Sequence, residues 1–245
     1  MTVEVTSIRT RSMTIVYYLV HALIVAVGAI ITMINKPVAT AIGTSLIATG
    51  AAGAVIYIYL IRTETAREAL EMFNVFGLHR IYDRRAAQIR GEYASRLARA
   101  NSKIDIIGFG LKDFRRDYIA ELGALSQKTT IRILLLDPDS PLAAQRDKEE
   151  GQSVGTIAGE IREFATQFQQ HYGKGSPTLS LRLYTCCPMI NIFRIDNDIF
   201  WGPYFVGRAS GNTATFRVRR GAILFDQLQQ HFDEVWDKFS KPVES

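Results

Sequence analysis

The sequence has little with which to do covalent chemistry. Its 245 residues include two cysteines and four histidines. The cysteines, Cys186 and Cys187, are adjacent, a spacing that rarely closes a disulfide and does not match the C-x-x-C pattern of a zinc site. They fit a reducing compartment and read as inert thiols. The histidines, His21, His79, His171 and His231, are scattered along the chain. The motifs of a P-loop, a nucleophile elbow, a zinc protease and a dinucleotide fold are all missing. These gaps exclude the common nucleotide hydrolases, serine hydrolases, zincins and dehydrogenases, and no cofactor is implied. Internal repeats and low-complexity tracts are also missing.

Charge is missing in two places. Residues 13–34 and 38–61 contain no Asp, Glu, Lys or Arg. Each run is longer than the ~20 residues a helix needs to cross the hydrocarbon core. The first is too long for the apolar part of a signal peptide and is followed at once by the second. Asn35, Lys36 and Pro37 form the whole connection, so two spans would make an antiparallel hairpin. Arg9 and Arg11 precede it; Arg62, Arg67, Arg80, Arg84 and Arg85 follow it; one Lys36 lies in the turn. By the positive-inside rule both termini are cytoplasmic, as expected for a two-span protein of a cell inner membrane. Tyr17, Tyr18, Tyr57 and Tyr59 suit the interfacial belt on that side.

Within the second run, Ala41, Ser45, Thr49 and Gly53 recur every four residues. Small residues at this spacing let helix backbones approach closely. The stripe serves packing of the hairpin on itself or self-association into an oligomer. His21 lies inside the first run, where an ionisable residue is a functional candidate by default.

The chain divides into an N-terminal tail (1–12), two transmembrane helices (13–34 and 38–61), a basic helical connector (62–102) and an α/β domain (103–245). Net charge is +5 and the pI about 9.2. The excess suits a domain beside anionic lipid, and it also suits a nucleotide or nucleic acid. In the α/β part, KIDIIG at 103–108 and IRILLL at 131–136 read as buried strands. A helix at 113–126 separates them, which implies parallel pairing. A long amphipathic helix covers 154–172. Strands follow at 179–184, 190–195 and 199–205, the last two as a hairpin, with another at 213–218 and a closing helix at 223–239. The class is α/β, a mixed sheet flanked by helices. Asp137-Pro138-Asp139 reads as a turn and helix start rather than a metal site.

The succession IRILLLDPDSP, long helix, LRLYTCCPM, NIFRIDNDIFWGPYFVG and LQQHFDEVWDKF, over residues 77–240, resembles half of a phospholipase D-type fold. The resemblance implies a His-x-Lys pair on the strand at 190–196, followed after four intervening residues by an Asp. The histidine would be the nucleophile and the lysine a phosphate ligand. Here the pattern departs. With Asp196 as the motif aspartate, the two positions hold Met189 and Asn191; with Asp198, they hold Asn191 and Phe193. The nucleophile is missing, and catalytic residues are not assigned. Arg146, Arg194, Arg208, Arg217 and Arg219 become candidates for binding a phosphate, as guanidinium groups can without catalysis. Each could equally be paired with a nearby carboxylate.

A minimal two-helix anchor on a ligand-sized domain is similar in architecture to the membrane effectors of bacterial antiviral systems, including those associated with retrons or cyclic nucleotides. This implies a domain that senses a nucleotide, a phosphorylated ligand or a regulatory protein or nucleic-acid partner, and helices that cluster as homo-oligomers in the lipid bilayer. A phospholipase D-like phosphodiesterase and a non-catalytic scaffold are the alternatives.

Overall fold

In the computed structural model, the described residues are 7–34, 36–83, 89–187 and 189–243. Arg84 and Arg85, counted above among the flanking basic residues, lie outside them, as do the side chains of Arg9, Arg11 and Arg62. The chain forms two compact units, Met1–Glu71 and Met72–Ser245.

The first unit holds α1 (Ser7–Thr32) and most of α2 (Pro37–Phe76). Each contains a stretch long and apolar enough to cross a membrane: Ile15–Thr32 with mean hydropathy 2.3, and Pro37–Leu60 with 1.7. The two helices pack through glycine. A Cβ placed on Gly43 would come within 2.5 Å of the Gly28 carbonyl oxygen, and one on Gly28 within 2.7 Å of the Gly43 carbonyl. Gly50 approaches Val25, and Gly53 lies against the His21 imidazole. Tyr57 continues this seam, stacking on Tyr17 at 3.8 Å, and Tyr17 in turn stacks on His21 at 4.0 Å. Large apolar side chains elsewhere on the pair are open, Leu19 at 64% and Ile56 at 56% exposure among them.

The second unit is an eight-stranded mixed sheet with flanking helices. Its elements run β1 (Leu78–Tyr82), α3 (Arg90–Arg99), β2 (Lys103–Gly108), α4 (Lys112–Tyr118), α5 (Leu122–Ser126), β3 (Thr130–Leu136), α6 (Pro141–Glu150), α7 (Thr156–Tyr172), β4 (Leu179–Tyr184), β5 (Ile190–Ile195), β6 (Asp198–Pro203), β7 (Thr215–Arg219), α8 (Ile223–Lys238) and β8 (Ser240–Pro242). The strand order is β1-β7-β6-β5-β2-β3-β4-β8. β2, β3 and β4 are parallel, as the helices between them require, and the other pairings are antiparallel. The sheet begins earlier than the sequence suggested. Part of the basic stretch at 62–102 is β1, an edge strand on β7, and not helical connector. Its alternation is hidden because Leu78, Ile81 and Tyr82 sit among His79 and Arg80, and an edge strand tolerates charge.

Local chemistry fixes the joints. Ser140 caps α6 with Pro141 in its first turn, and buried Asp147 accepts the amides of Gly155 and Ile157 at the start of α7. The β5–β6 hairpin turns on Asp196 at φ 51°, and its carboxylate gathers the amides of Asn101, Ser102 and Lys103. Asp137 accepts the Asp139 amide at 3.0 Å, a side-chain turn of the kind expected at that triplet.

Two ionic clusters dock helices onto opposite faces of the sheet. In register across three strands, Asp105 lies between Arg132 and Arg194. Arg132 donates to Asp105 at 2.7 Å and to Asp233 of α8 at 2.6 Å, while Gln229 of α8 bonds both carboxylates and Arg194. The guanidiniums also lie over Phe232 and Phe225 of the same helix. On the other face, Asp198 receives Arg217 and, from α3, Arg96. Glu92 of α3 joins both arginines, and Tyr93 packs on Phe193 and Phe200.

Three outcomes follow from this packing. Gly43→Leu drives a side chain into the Gly28 carbonyl; the expected loss, about 1–3 kcal/mol, reads as a lower melting temperature of the detergent-solubilised protein. Asp105→Ala leaves two guanidiniums without their shared buried partner and costs about 3–5 kcal/mol, measured by denaturant unfolding of the second unit. Acid acts through Asp233 and Glu92. Burial works to raise both carboxyls, but Gln229 and Arg132 for the first, and Arg96 and Arg217 for the second, outweigh it and hold both below their usual values. Their stabilisation is complete above the unfolded carboxylate range, near pH ~4, and is lost as pH falls through the depressed folded values. Asp233→Asn therefore flattens the acid limb of stability against pH.

Candidate functional site

A cavity of about 590 Å³ opens where β2 ends and β5 begins. β2 leaves the sheet at Gly108, and Phe109-Gly110-Leu111 turns the chain into α4, with Leu111 in the left-handed region at φ 48°. Such a conformation is strained for a branched residue. It is held because Leu111 packs over Gly108, where a Cβ would meet its Cδ2 at 2.6 Å. Gly110 is equally constrained, since a Cβ there would meet Glu160 of α7 at 3.0 Å.

The walls are aromatic: Tyr93, Phe109, Phe114, Phe193 and Tyr204. They brace one another edge to face, Phe109 on Tyr204 at 4.5 Å and Phe114 on Phe193 at 5.5 Å. Among the buried residues of the lining is one polar side chain, Asn191, 6% exposed. Its Nδ2 donates to the Gly202 carbonyl at 2.8 Å. A carbonyl only accepts, so the amide nitrogen faces Gly202 and the orientation of the side chain is fixed. Charged groups line the remainder in pairs: Arg90 with Asp117 at 2.8 Å, Arg116 with Asp113 and Asp117 at 3.0 Å, and Lys112 with Glu160 at 3.1 Å. Tyr118, also on the wall, is pushed up, first by burial and then by the charge of Asp117.

Buried Arg146 shapes the far rim. Its guanidinium pairs with Glu149 and Glu150, donates to the carbonyls of Phe205 and Arg208 at 3.1 Å, and lies over the rings of Phe109 and Tyr204. Ser210 donates to Glu150 from the same loop. The residue holds the 205–210 loop in place.

The phosphate candidates therefore do not converge. Arg146 is 2% exposed and fully engaged, Arg194 belongs to the Asp105 cluster, and Arg217 to the Asp198 cluster. Arg208 and Arg219 are exposed, and neither lines the cavity. Arg217 meets Glu92 from 125 residues away, and Arg194 meets Asp105 on a neighbouring strand, proximities that spacing does not reveal; only Arg146 takes its carboxylates from the next turn of its own helix. The small-residue stripe is divided too: Ala41, Ser45 and Thr49 are exposed, and Gly53 lies in the helix seam. The Thr49 hydroxyl donates to the Ser45 carbonyl of its own helix at 2.8 Å. His21 sits in the same seam with Nδ1 2.9 Å from the Tyr17 carbonyl oxygen, so that nitrogen carries a proton. Of the other histidines, His79 and His171 are exposed and His231 is half-buried on α8, where burial lowers its pKa. Cys186 is half-buried, and burial raises its thiol, while Cys187 is exposed. Among the described residues no group of three His, Cys, Asp or Glu side chains is arranged to hold a metal.

The cavity itself was missed in the sequence. Its one legible sign was Gly108-Phe109-Gly110 directly after a buried strand, the place where α/β sheets bind ligands.

No family model and no curated protein matches the chain. Similar solved structures include TrmBL2, an archaeal chromatin protein described as showing a novel mode of DNA binding, with a TM-score of 0.42 and 15% identity over 82% of this chain and 69% of that one. Another is phosphatidylserine synthase from Haemophilus influenzae Rd KW20, with a TM-score of 0.44 and 13% identity over 66% of this chain. The chain spans 39% of the synthase's length, and both likenesses concern the fold alone.

Proposed function

We propose that the protein is a two-span membrane effector of a bacterial defence system of the abortive-infection type. In this reading α1 and α2 cross the inner membrane with both termini in the cytoplasm. The sheet domain holds a ligand or partner at its cavity, and occupancy sets the helix pairs free to associate and disrupt the bilayer. The observation that carries the reading is the division of α2 into two faces. Glycines 43, 50 and 53 are committed to α1. Ala41, Ser45 and Thr49 stay outward, small enough for a second helix pair to approach closely. The breadth of exposed Leu and Ile on both helices supports a lipid environment.

The alternative is a membrane-tethered phosphodiesterase of phospholipase D type. Against it, the one buried polar side chain of the cavity lining is Asn191, an amide with no nucleophilic atom, at the strand where the resemblance places its catalytic pair.

Expression in a bacterial host separates the readings. The effector arrests growth and collapses membrane potential, read with a potential-sensitive dye. Ser45→Leu with Thr49→Leu abolishes both effects while leaving the melting temperature of the purified protein unchanged. Growth arrest with membrane potential intact overturns the proposal. Arrest that survives the outward-face changes but is lost on substituting Asn191 favours the enzyme.

A further inference from the structure

The chemistry of the cavity limits what it can hold, an inference that rests on its being the ligand site of the domain. Its arginines and lysine are each matched by a carboxylate: Arg90 and Arg116 by Asp117 and Asp113, and Lys112 by Glu160. Glu150, also on the wall, is neutralised by Arg146. An anion entering there would find cations already paired and would meet at least as many negative groups as positive ones. What stands free is an acceptor. One N–H of the Asn191 amide is committed to the Gly202 carbonyl, which fixes the side chain, and its Oδ1 takes no hydrogen bond among the described residues. Oδ1 is not among the sealed polar atoms that lack a partner, so it is open to the cavity, where a ligand can donate to it. The lining also holds six aromatic rings, which accept the face of any planar π-system.

We infer that the cavity binds a planar heterocycle bearing an exocyclic amine, such as the base of adenosine or cytidine, with the amine donating to Asn191 Oδ1 and the ring held among Phe109, Phe114, Phe193 and Tyr204. The volume of about 590 Å³ lies within the range of small-molecule sites. Recognition is through the base. A phosphate contributes little, because the pairing of Arg90, Lys112 and Arg116 leaves no cation for it. The same base reaches the protein as a free nucleoside or within a nucleotide.

The test uses the full chain in detergent and four nucleosides in two pairs: adenosine with inosine, and cytidine with uridine. Deamination replaces the amine with a carbonyl, which sets acceptor against acceptor. At least one amine-bearing nucleoside binds, by isothermal titration, about tenfold or more tightly than its deaminated counterpart. Asn191→Ala abolishes the discrimination, and because the nucleoside pairs carry the same question in the unaltered protein, poor folding of that variant does not remove the answer. AMP and CMP, run beside the nucleosides, assign the source. Affinity within about threefold of the nucleoside supports recognition of the base. Binding that requires the phosphate overturns it, as does equal affinity for amine and carbonyl bases, or no binding by any of the four. These outcomes leave the membrane-potential experiment untouched, so failure of the ligand assignment and failure of the effector reading are separately visible.

Discussion

The sheet domain is organised around one buried carboxylate. Asp105 lies in β2, fourth from one edge of eight strands, with no solvent exposure, and each neighbouring strand offers it an arginine in register. One acid cannot balance two guanidiniums in a dry interior. The deficit is met from α8, whose Asp233 takes the outer side of Arg132 and whose Gln229 bridges the group. Charge balance thus dictates that α8 covers this face, and the rings of Phe225 and Phe232 follow it into the core. The opposite face repeats the solution with Asp198 and Glu92 against Arg96 and Arg217. A domain with a basic sequence thereby consumes its arginines in its own construction.

That consumption explains the character of the cavity. β2 is parallel to β3 on one side and antiparallel to β5 on the other. Where β2 ends, the chain turns into α4 on one side, while on the other it enters β5 and leaves β6, and a crevice opens between them. Its rim comes from α4 and the loop braced by Arg146. The most deeply buried arginine among the described residues, at 2% exposure, is thus a strut, holding two carbonyls of one loop and two carboxylates of α6.

Patterns with a local cause were legible in the sequence. The charge-free runs, the parallel pair around IRILLL, the Asp196 hairpin and the helices at 156–172 and 223–238 all follow from periodicity or turn chemistry within a few residues. The strand at 78–82 was hidden because an edge strand carries charge on its open side. The arginines were misplaced for a different reason. Arg217 and Glu92 are 125 residues apart, and no rule of spacing brings them together. Asn191 was noticed only as a position where a catalytic residue was missing. The orientation of its amide depends on Gly202, across a hairpin that had to be folded first.

The helix pair shows the same limit in simpler form. A residue advances about 100° around a helix, so a stripe with period four drifts by about 40° at each step. Taking Gly43 as the centre of the seam, Ala41 lies about 160° away, on the far side, and Thr49 about 120° away. Gly53 has drifted to about 80°, at the seam's edge, and there it meets His21. The glycines that do form the contact, 43 and 50, are seven apart, and Tyr57 is seven further on, a spacing that drifts only about 20° per step. Ala41, Ser45, Thr49 and Gly53 are therefore not one face with one role. They wind from the outer surface of the hairpin to its interior, so a bulky residue at 49 and the same residue at 53 strike different contacts.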